Sequence, residues 1–262
     1  MSLGVFTGGG GLPGWALLNR TGARQKRMVA GEAGTQRVTQ HYRDRIGNIG
    51  KADELLTDYR LLTVTLRAFG LEGDLKNKAF LRQVLESDLS DQRSLANRLS
   101  NKSYRRLAEA FGFGSPTGSA VASQGFADRV VTQYVQREFE ARVGARDQNL
   151  RLALNARREL SRLARQDTSN KTKWYEVLGS PPLRKVFEGA FGFGTAYAGL
   201  PIDRQLEEFT KAAENRLGSS DISRFSEPDH VEKLLRGFLV RSTVQPAATN
   251  RFSIALQLLG GR

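Results

Sequence analysis

Cysteine is absent from this chain of 262 residues, which excludes disulfide bonds, thiol catalysis and thiolate metal ligands. Histidine is almost as scarce, because the 2 present, His41 and His230, are far apart and lack the spacing of a metal motif or a catalytic triad. Long apolar runs are missing too, and the short run Ile254-Ala255-Leu256 falls far below the ~20 residues that a membrane span needs. We therefore predict a folded protein that has no cofactor, no metal site, no membrane span and no catalytic residues.

Glycine is concentrated at the N-terminus, where residues 1–34 hold nine of the 27 glycines. This composition predicts a flexible lead over 1–34, followed by one helical unit over 35–262. Gly9, Gly11 and Gly14 match the spacing of a dinucleotide-binding loop, but Pro13 interrupts them and no strand precedes them. We therefore predict no nucleotide site there. Glycines and Pro13 also break the apolar stretch that a secretory signal would need.

Positive charge is in excess, with a formal net charge of +13, and it is densest between residues 141 and 168. An anion-binding surface is one interpretation of the seven arginines in this segment: Arg142, Arg146, Arg151, Arg157, Arg158, Arg162 and Arg165. The segment contains no aromatic residue for base stacking, which favours a solvated helix face instead. Nucleic-acid binding stays open as an alternative.

A recurring signal closes three amphipathic stretches: Ala-Phe-Gly, followed by Leu71, Phe113 or Phe193. Glycine supplies the left-handed conformation that ends a helix, and the next apolar residue can fold back onto the last turn. Strand-like alternation is not evident, so the class predicted is all-α. We expect the phenylalanines of these signals, together with one further along the chain, to be buried: Phe69, Phe111, Phe191 and Phe238.

The helical pattern is repeated. The repeat predicts two similar three-helix modules, over residues 55–113 and 177–240. In this alignment Phe69 matches Phe191, and Phe111 matches Phe238. A long central stretch over 126–166 joins the two modules. Gly144 lowers the helix propensity inside this stretch, so it is either one kinked helix or two helices. The predicted architecture is a multi-helix bundle built from these two modules and the central stretch.

Trp174 and Tyr175 lie between the long central stretch and the second module, and they have two interpretations. Large aromatic side chains either anchor the packing between helices or form the energetic centre of a protein interface. The sequence leaves both open, so the pair is a candidate protein interface.

Several strings resemble the alphaproteobacterial family DUF1217: Asp58-Tyr59-Arg60-Leu61-Leu62, Asn77 to Glu86, Leu95 to Leu99, Arg151 to Leu154, Lys173-Trp174-Tyr175, Leu183 to Phe187 and Leu234 to Arg241. The resemblance covers nearly all of residues 35–260. It implies an all-helical fold and a frequent location among flagellar genes, and it implies no catalytic residues.

From these features we expect a non-enzymatic helical protein of the flagellar system. It would act as an assembly, structural or accessory factor by binding other proteins, and flagellar components are the candidate partners. The alternative is a nucleic-acid-binding or regulatory protein that uses the arginine-rich segment. A cytoplasmic location is expected. The alternative is export through the flagellar secretion apparatus, with Met1 to Ala30 as the signal.

Overall fold

A computed structural model describes residues 4–194, 197 and 199–259, with the backbone alone described over 244–259. Residues 1–3 of the predicted lead and 260–262 of the predicted unit lie outside the described part. The α-helices are α1 (Gly11–Gly31), α2 (Ala33–Ile46), α3 (Ala52–Thr57), α4 (Tyr59–Phe69), α5 (Lys78–Leu85), α6 (Leu95–Arg98), α7 (Ser103–Phe111), α8 (Phe126–Gly144), α9 (Gln148–Ala164), α10 (Asn170–Leu178), α11 (Pro181–Phe191), α12 (Ile202–Leu217) and α13 (Pro228–Leu259). Short 3-10 helices lie at Glu72–Asp74 and Ile222–Ser226. Since the described residues contain no strand, the predicted all-α class is confirmed.

Two compact units are present where the sequence indicated one unit over 35–262. The first contains residues 4–6 and 21–142, and the second contains residues 7–20 and 143–259. Module 55–113 lies in the first unit and module 177–240 in the second. Each unit builds its own apolar core, around Phe111 in the first and Phe187 in the second. Whether the two modules superpose stays a prediction.

The three predicted helix ends are confirmed. Gly70, Gly112 and Gly192 follow α4, α7 and α11 with φ of +72°, +68° and +73°. After α4 the amide of Leu71 donates to Leu66 O at 2.8 Å, the hydrogen bond that defines a Schellman cap. The same bond runs from Phe193 to Glu188 O at 2.9 Å after α11. These caps satisfy carbonyl oxygens that a helix end leaves without partners.

Aromatic side chains at these ends fill the cores. In the first unit the Phe111 ring packs on Phe69, Phe113 and Phe126. In the second, the Phe191 ring packs on neighbours that include Phe187 and Phe209. The burial predicted for Phe69, Phe111, Phe191 and Phe238 is confirmed.

Gly237 ends no helix, although the next residue, Phe238, was matched in sequence with Phe111, the last residue of α7. The backbone of α13 continues through it to Leu259. Glycine costs a helix interior only about 1 kcal/mol and ends a helix only where the chain can leave in the left-handed conformation. Phe238 packs instead against α11, where a Cβ on Gly189 would lie 2.7 Å from its ring.

The central stretch 126–166 is two helices. The first, α8, ends at Gly144, and α9 begins after Asp147, whose Oδ1 accepts hydrogen bonds from the amides of Asn149 and Leu150 at 2.8 and 3.1 Å. An aspartate N-cap starts a new helix because it satisfies amides that have no partner in the first turn.

The flexible lead predicted over 1–34 is wrong for the described residues, because α1 occupies most of that range. Asp147 also explains how it is held: its second oxygen, Oδ2, accepts a hydrogen bond from the amide of Gly11 at 3.1 Å, at the beginning of α1. Gly14 lies so close to the preceding backbone that a Cβ there would be 2.6 Å from Thr7 O. These glycines therefore permit close packing, and they do not indicate flexibility.

Trp15 fixes the first half of α1 in the second unit. Its side chain is 1% exposed, and its Nε1 donates to both carboxylate oxygens of Glu232 at 2.9 Å. The guanidinium of Arg157 lies 4.7 Å from the centre of the indole ring, a cation–π contact. Residues from α9 and α13 thus hold the segment that the sequence analysis placed outside the core.

The substitution Trp15→Ala should lower the free energy of unfolding by ~3–5 kcal/mol, the range for truncating a buried large aromatic side chain. Trp15→Phe, which keeps most of the ring and loses the hydrogen bonds to Glu232, should cost less. Urea denaturation followed by circular dichroism measures both. If both variants unfold like the parent chain, α1 is not part of the folded core.

The buried phenylalanines give a second test. Phe111→Ala and Phe191→Ala should each cost ~3–5 kcal/mol, because each leaves a cavity in an aromatic cluster. The matched control is Phe6→Ala, since the Phe6 side chain is 68% exposed and its truncation should change stability by less than ~0.5 kcal/mol. Equal unfolding curves for buried and exposed sites would contradict the assignment.

Candidate protein-interaction surface

The neighbouring aromatic residues of α10 lie in different environments. Trp174 is 1% exposed and packs edge-on against the rings of Phe187 and Phe209. Its Nε1 donates to Ser220 O at 2.8 Å, which satisfies the one polar atom of a buried indole. Trp174 is therefore a packing anchor within the second unit, and it does not reach the surface as an interface residue would.

Tyr175 lies at the surface of the second unit. Its hydroxyl donates to Asp203 Oδ1 at 2.8 Å, and the Nζ atom of Lys171 lies 5.8 Å from the centre of its ring. The hydrogen bond to Asp203 raises the pKa of Tyr175, because the phenolate would lose that bond and lie beside another negative charge. The ring is consequently held in place as a neutral side chain between α10 and the beginning of α12.

Aliphatic side chains are exposed close in sequence to Asp203, the hydrogen-bond partner of this tyrosine. Ile202, adjacent in sequence to Asp203, is 48% exposed, and Leu200 is 38% exposed. The backbone under them is held by the buried side chain of Gln205, whose Nε2 donates to Leu200 O at 2.5 Å. We define the Tyr175 surface by its five residues: Lys171, Tyr175, Leu200, Ile202 and Asp203. It combines an aromatic ring with solvent-exposed aliphatic groups on a fixed backbone, a composition enriched in protein interfaces.

The predicted anion-binding arginines are largely engaged within the protein. Arg142, in the first unit, donates to Glu32 Oε1 at 2.6 Å and to Glu138 Oε1 at 2.9 Å. The hydrogen bond to Glu32 is the main cause that raises the pKa of Arg142 above its ordinary value, and Glu138 adds to it. Arg142 therefore serves as an ion-pair partner for two carboxylates.

The arginines of α9 belong to the second unit and have their own partners. Arg157 donates to Asn19 Oδ1 at 2.7 Å in addition to its contact with Trp15. Glu159 is buried and pairs with both Arg158 and Arg162, at 3.0 Å for Arg162. Arg151 also makes contacts inside the protein. Arg146 and Arg165 are exposed, at opposite ends of α9.

The anion position at the beginning of α1 is already filled. In a dinucleotide-binding loop, a phosphate accepts hydrogen bonds from amides at a helix N-terminus. Here Asp147 Oδ2 lies at the amide of Gly11, so a carboxylate of the protein takes that place. An aspartate just before a helical stretch is a local sequence pattern that can indicate the N-cap of α9. The hydrogen bond between Asp147 and Gly11 joins residues 136 positions apart, so no local sequence pattern could indicate it.

Groups of three or more histidine and acidic side chains with the geometry of a metal site do not occur in the described part of the chain. Of the two histidines, His41 lies 3.6 Å from Asp58 Oδ2 and His230 lies 3.2 Å from Arg224. In the part that the structure describes, no helix has the length and apolar character that crossing a membrane requires.

Comparison with known proteins now identifies the family. The family DUF1217, described as a protein of unknown function, matches residues 68–231. The X-ray crystal structure of protein AGR_C_984 from Agrobacterium tumefaciens is similar, with a TM-score of 0.75 and 26% sequence identity over 88% of this chain and 92% of that chain. A search of curated proteins gives no match. The family match covers well over half of the sequence, and the chain belongs to the DUF1217 family.

Proposed function

We propose that this protein is a non-enzymatic component of the bacterial flagellar system, and that it acts as an assembly, structural or accessory factor by binding other proteins. The flagellar part of the proposal rests on the resemblance to DUF1217, whose genes are often found among flagellar genes. The protein-binding part rests on the Tyr175 surface, which is the single observation that carries it.

The Tyr175 surface suits a protein partner for a physical reason. Binding gains most from large, ordered side chains that lose little conformational freedom, and tyrosine is one of these. The bond between Tyr175 and Asp203 fixes the ring before a partner arrives. Ile202 and Leu200 add apolar area whose burial supplies the hydrophobic contribution.

A cytoplasmic location is part of the proposal, with export through the flagellar secretion apparatus as the alternative. Export would use Met1 to Ala30 as an extended signal. The anchoring of Trp15 between Glu232 and Arg157 favours the cytoplasmic location, because this segment would first have to leave the second unit.

The alternative function, nucleic-acid binding by the arginine-rich segment, is weakened by the partners of its arginines. A phosphate-binding surface needs cationic groups that can exchange counterions for phosphates. Glu32, Glu138, Glu159 and Glu176 already neutralise three of these arginines, Arg142, Arg158 and Arg162.

Deletion of the gene should impair motility while leaving growth in liquid medium unchanged. The parent gene should restore swimming, whereas a gene that carries Tyr175→Ala with Ile202→Ser should restore it poorly, because the variant lacks the aromatic ring and one exposed aliphatic side chain of the Tyr175 surface. Tyr59→Ala is the matched control, since Tyr59 is exposed on the first unit and belongs to no proposed surface. Swimming-zone diameter and filament counts are the measurements, and fractionation locates the product.

A deletion strain that swims normally with a normal number of filaments would exclude the flagellar role. Full rescue by the Tyr175 and Ile202 variant would instead exclude the Tyr175 surface as the binding site.

Generic double-stranded DNA should bind weakly at low salt and be released near physiological ionic strength, where the Debye length is about 8 Å. Fluorescence anisotropy over a salt series measures this. Sub-micromolar, sequence-selective binding at physiological salt would contradict the expectation and favour the nucleic-acid alternative.

A further inference from the structure

A cavity of about 260 Å³ lies in the first unit, between the turn after α5, the end of α7 and the loop over 112–120. It is smaller than the sites that hold drug-sized ligands, which start near ~300 Å³, so it suits a single side chain or a small molecule. Polar and acidic groups share its lining with small apolar ones: Ser87, Asp88, Leu89, Ser90, Ala108, Glu109, Gly112, Ser115, Pro116, Thr117, Gly118 and Ala120.

The cavity is a built feature of the fold. Gly112 ends α7 in the left-handed conformation, and Ala120 N donates to Phe111 O at 2.9 Å, which brings the loop back to the helix end. Gly114 lies directly against the carbonyl oxygens of Glu86 and Ser87, so a Cβ at this position would overlap both. The loop can approach the turn this closely only because residue 114 is glycine.

Hydrogen-bond donors of the lining are mostly engaged inside the protein. The hydroxyl of Ser87 donates to Gln83 O at 2.7 Å, and that of Ser90 donates to Asp88 Oδ1 at 2.7 Å. Ser115 and Thr117 share one hydrogen bond of 2.8 Å between their hydroxyls. Three of the four hydroxyl hydrogens in the lining therefore already donate a hydrogen bond within the protein. The groups of the lining that can still form hydrogen bonds are mostly acceptors, because oxygen lone pairs outnumber the one hydroxyl hydrogen that is left.

Negative charge reinforces this surplus of acceptors. The side-chain and backbone hydrogen bonds from Ser90 hold the pKa of Asp88 below its ordinary value, which keeps it ionised. Glu109 is exposed, and its carboxylate makes no hydrogen bond or ion pair with any other residue that the structure describes. The cavity also adjoins the C-terminal end of α7, where the helix dipole is negative.

We propose that this cavity binds an alkylammonium group, contributed by a free diamine or by a lysine side chain of another protein. An ammonium group has three donors and no acceptor, so it complements a lining whose surplus is acceptors and carboxylates. Leu89, Ala108 and Pro116 provide apolar surface for its methylene groups. The site lies outside the Tyr175 surface and does not depend on the proposed flagellar role.

Titration of the full chain with three probes, followed by amide chemical shifts in NMR, tests the proposal. The probes are 1,4-diaminobutane, N-acetyl-lysine methylamide and the uncharged N-acetyl-norleucine methylamide. The first two should shift the resonances of Leu89, Ala108 and Ala120, and the norleucine compound should not. Asp88→Asn with Glu109→Gln should weaken binding about tenfold or more, because both charge-assisted contacts are lost.

Both substitutions preserve shape, and the amide oxygen that replaces a carboxylate oxygen of Asp88 can still accept the hydrogen bonds of Ser90. Asp44→Asn is the matched control, since Asp44 is exposed on α2 and does not line the cavity. If the double variant unfolds at a lower temperature, Glu109→Gln alone gives the test, because that side chain has no partner to lose among the residues that the structure describes. Tighter binding of the diamine identifies a free amine as the ligand, and tighter binding of the lysine compound identifies a protein side chain. Equal binding of the norleucine compound, unchanged affinity in the variants or shifts at other residues would overturn the proposal.

Discussion

A buried phenylalanine followed by a left-handed glycine ends three helices, and both units depend on this constraint. The ring fixes the last turn in the core, while the glycine turns the chain out of the helix without steric cost. Whatever follows each glycine is therefore held next to a rigid helix end. After Gly70 the chain forms the Glu72–Asp74 helix, where Asp74 accepts a hydrogen bond from the hydroxyl of Tyr104 at 2.6 Å. Burial and this bond raise the pKa of Tyr104 to about 12.

The two candidate sites follow the other two helix ends. The loop after Gly112 closes the acidic cavity, and the segment after Gly192 leads to Leu200 and Ile202 of the Tyr175 surface. Functional groups are often carried on loops that a rigid scaffold positions, because loop sequences can vary without disturbing the core. The same device that ends a helix thus begins the loop that closes a cavity in one unit, and in the other it begins the segment that leads to exposed aliphatic side chains.

Local patterns allowed much of the fold to be predicted, and long-range contacts account for what was missed. The helix ends at Gly70, Gly112 and Gly192 depend on residues within one turn, so the sequence displays them directly. The order of the N-terminus depends on Asp147 and Glu232, which lie 136 and 217 positions from their partners Gly11 and Trp15. Composition cannot distinguish a glycine needed for close packing from one in a flexible segment, since both lack a side chain.

The same limit applies to the candidate sites. Tyr175 was singled out because it is aromatic, but its partial exposure and the exposure of Ile202 depend on how α10 and α12 pack. The arginine-rich segment contains only three carboxylates of its own, Asp147, Glu159 and Asp167. Arg142 pairs instead with Glu32 and Glu138 from outside the segment, which the local sequence could not indicate. The cavity had no sequence signal, since Asp88 and Glu109 come together only in the folded chain.

Both the long-range field of the net charge and the short contacts between charged groups determine which ions this protein can bind. The net charge of +13 creates a field that attracts anions and repels cations, and salt screens that field beyond about 10 Å at 0.1 M. Contacts within the cavity are shorter than this distance, so salt weakens them less than it weakens the long-range repulsion of an ammonium ion. Salt weakens the attraction of nucleic acid more strongly, because that attraction depends on the long-range field and on counterion release. Rising salt therefore distinguishes the two: it should remove nonspecific anion binding first and leave the acidic cavity as the more selective charged site of this basic chain.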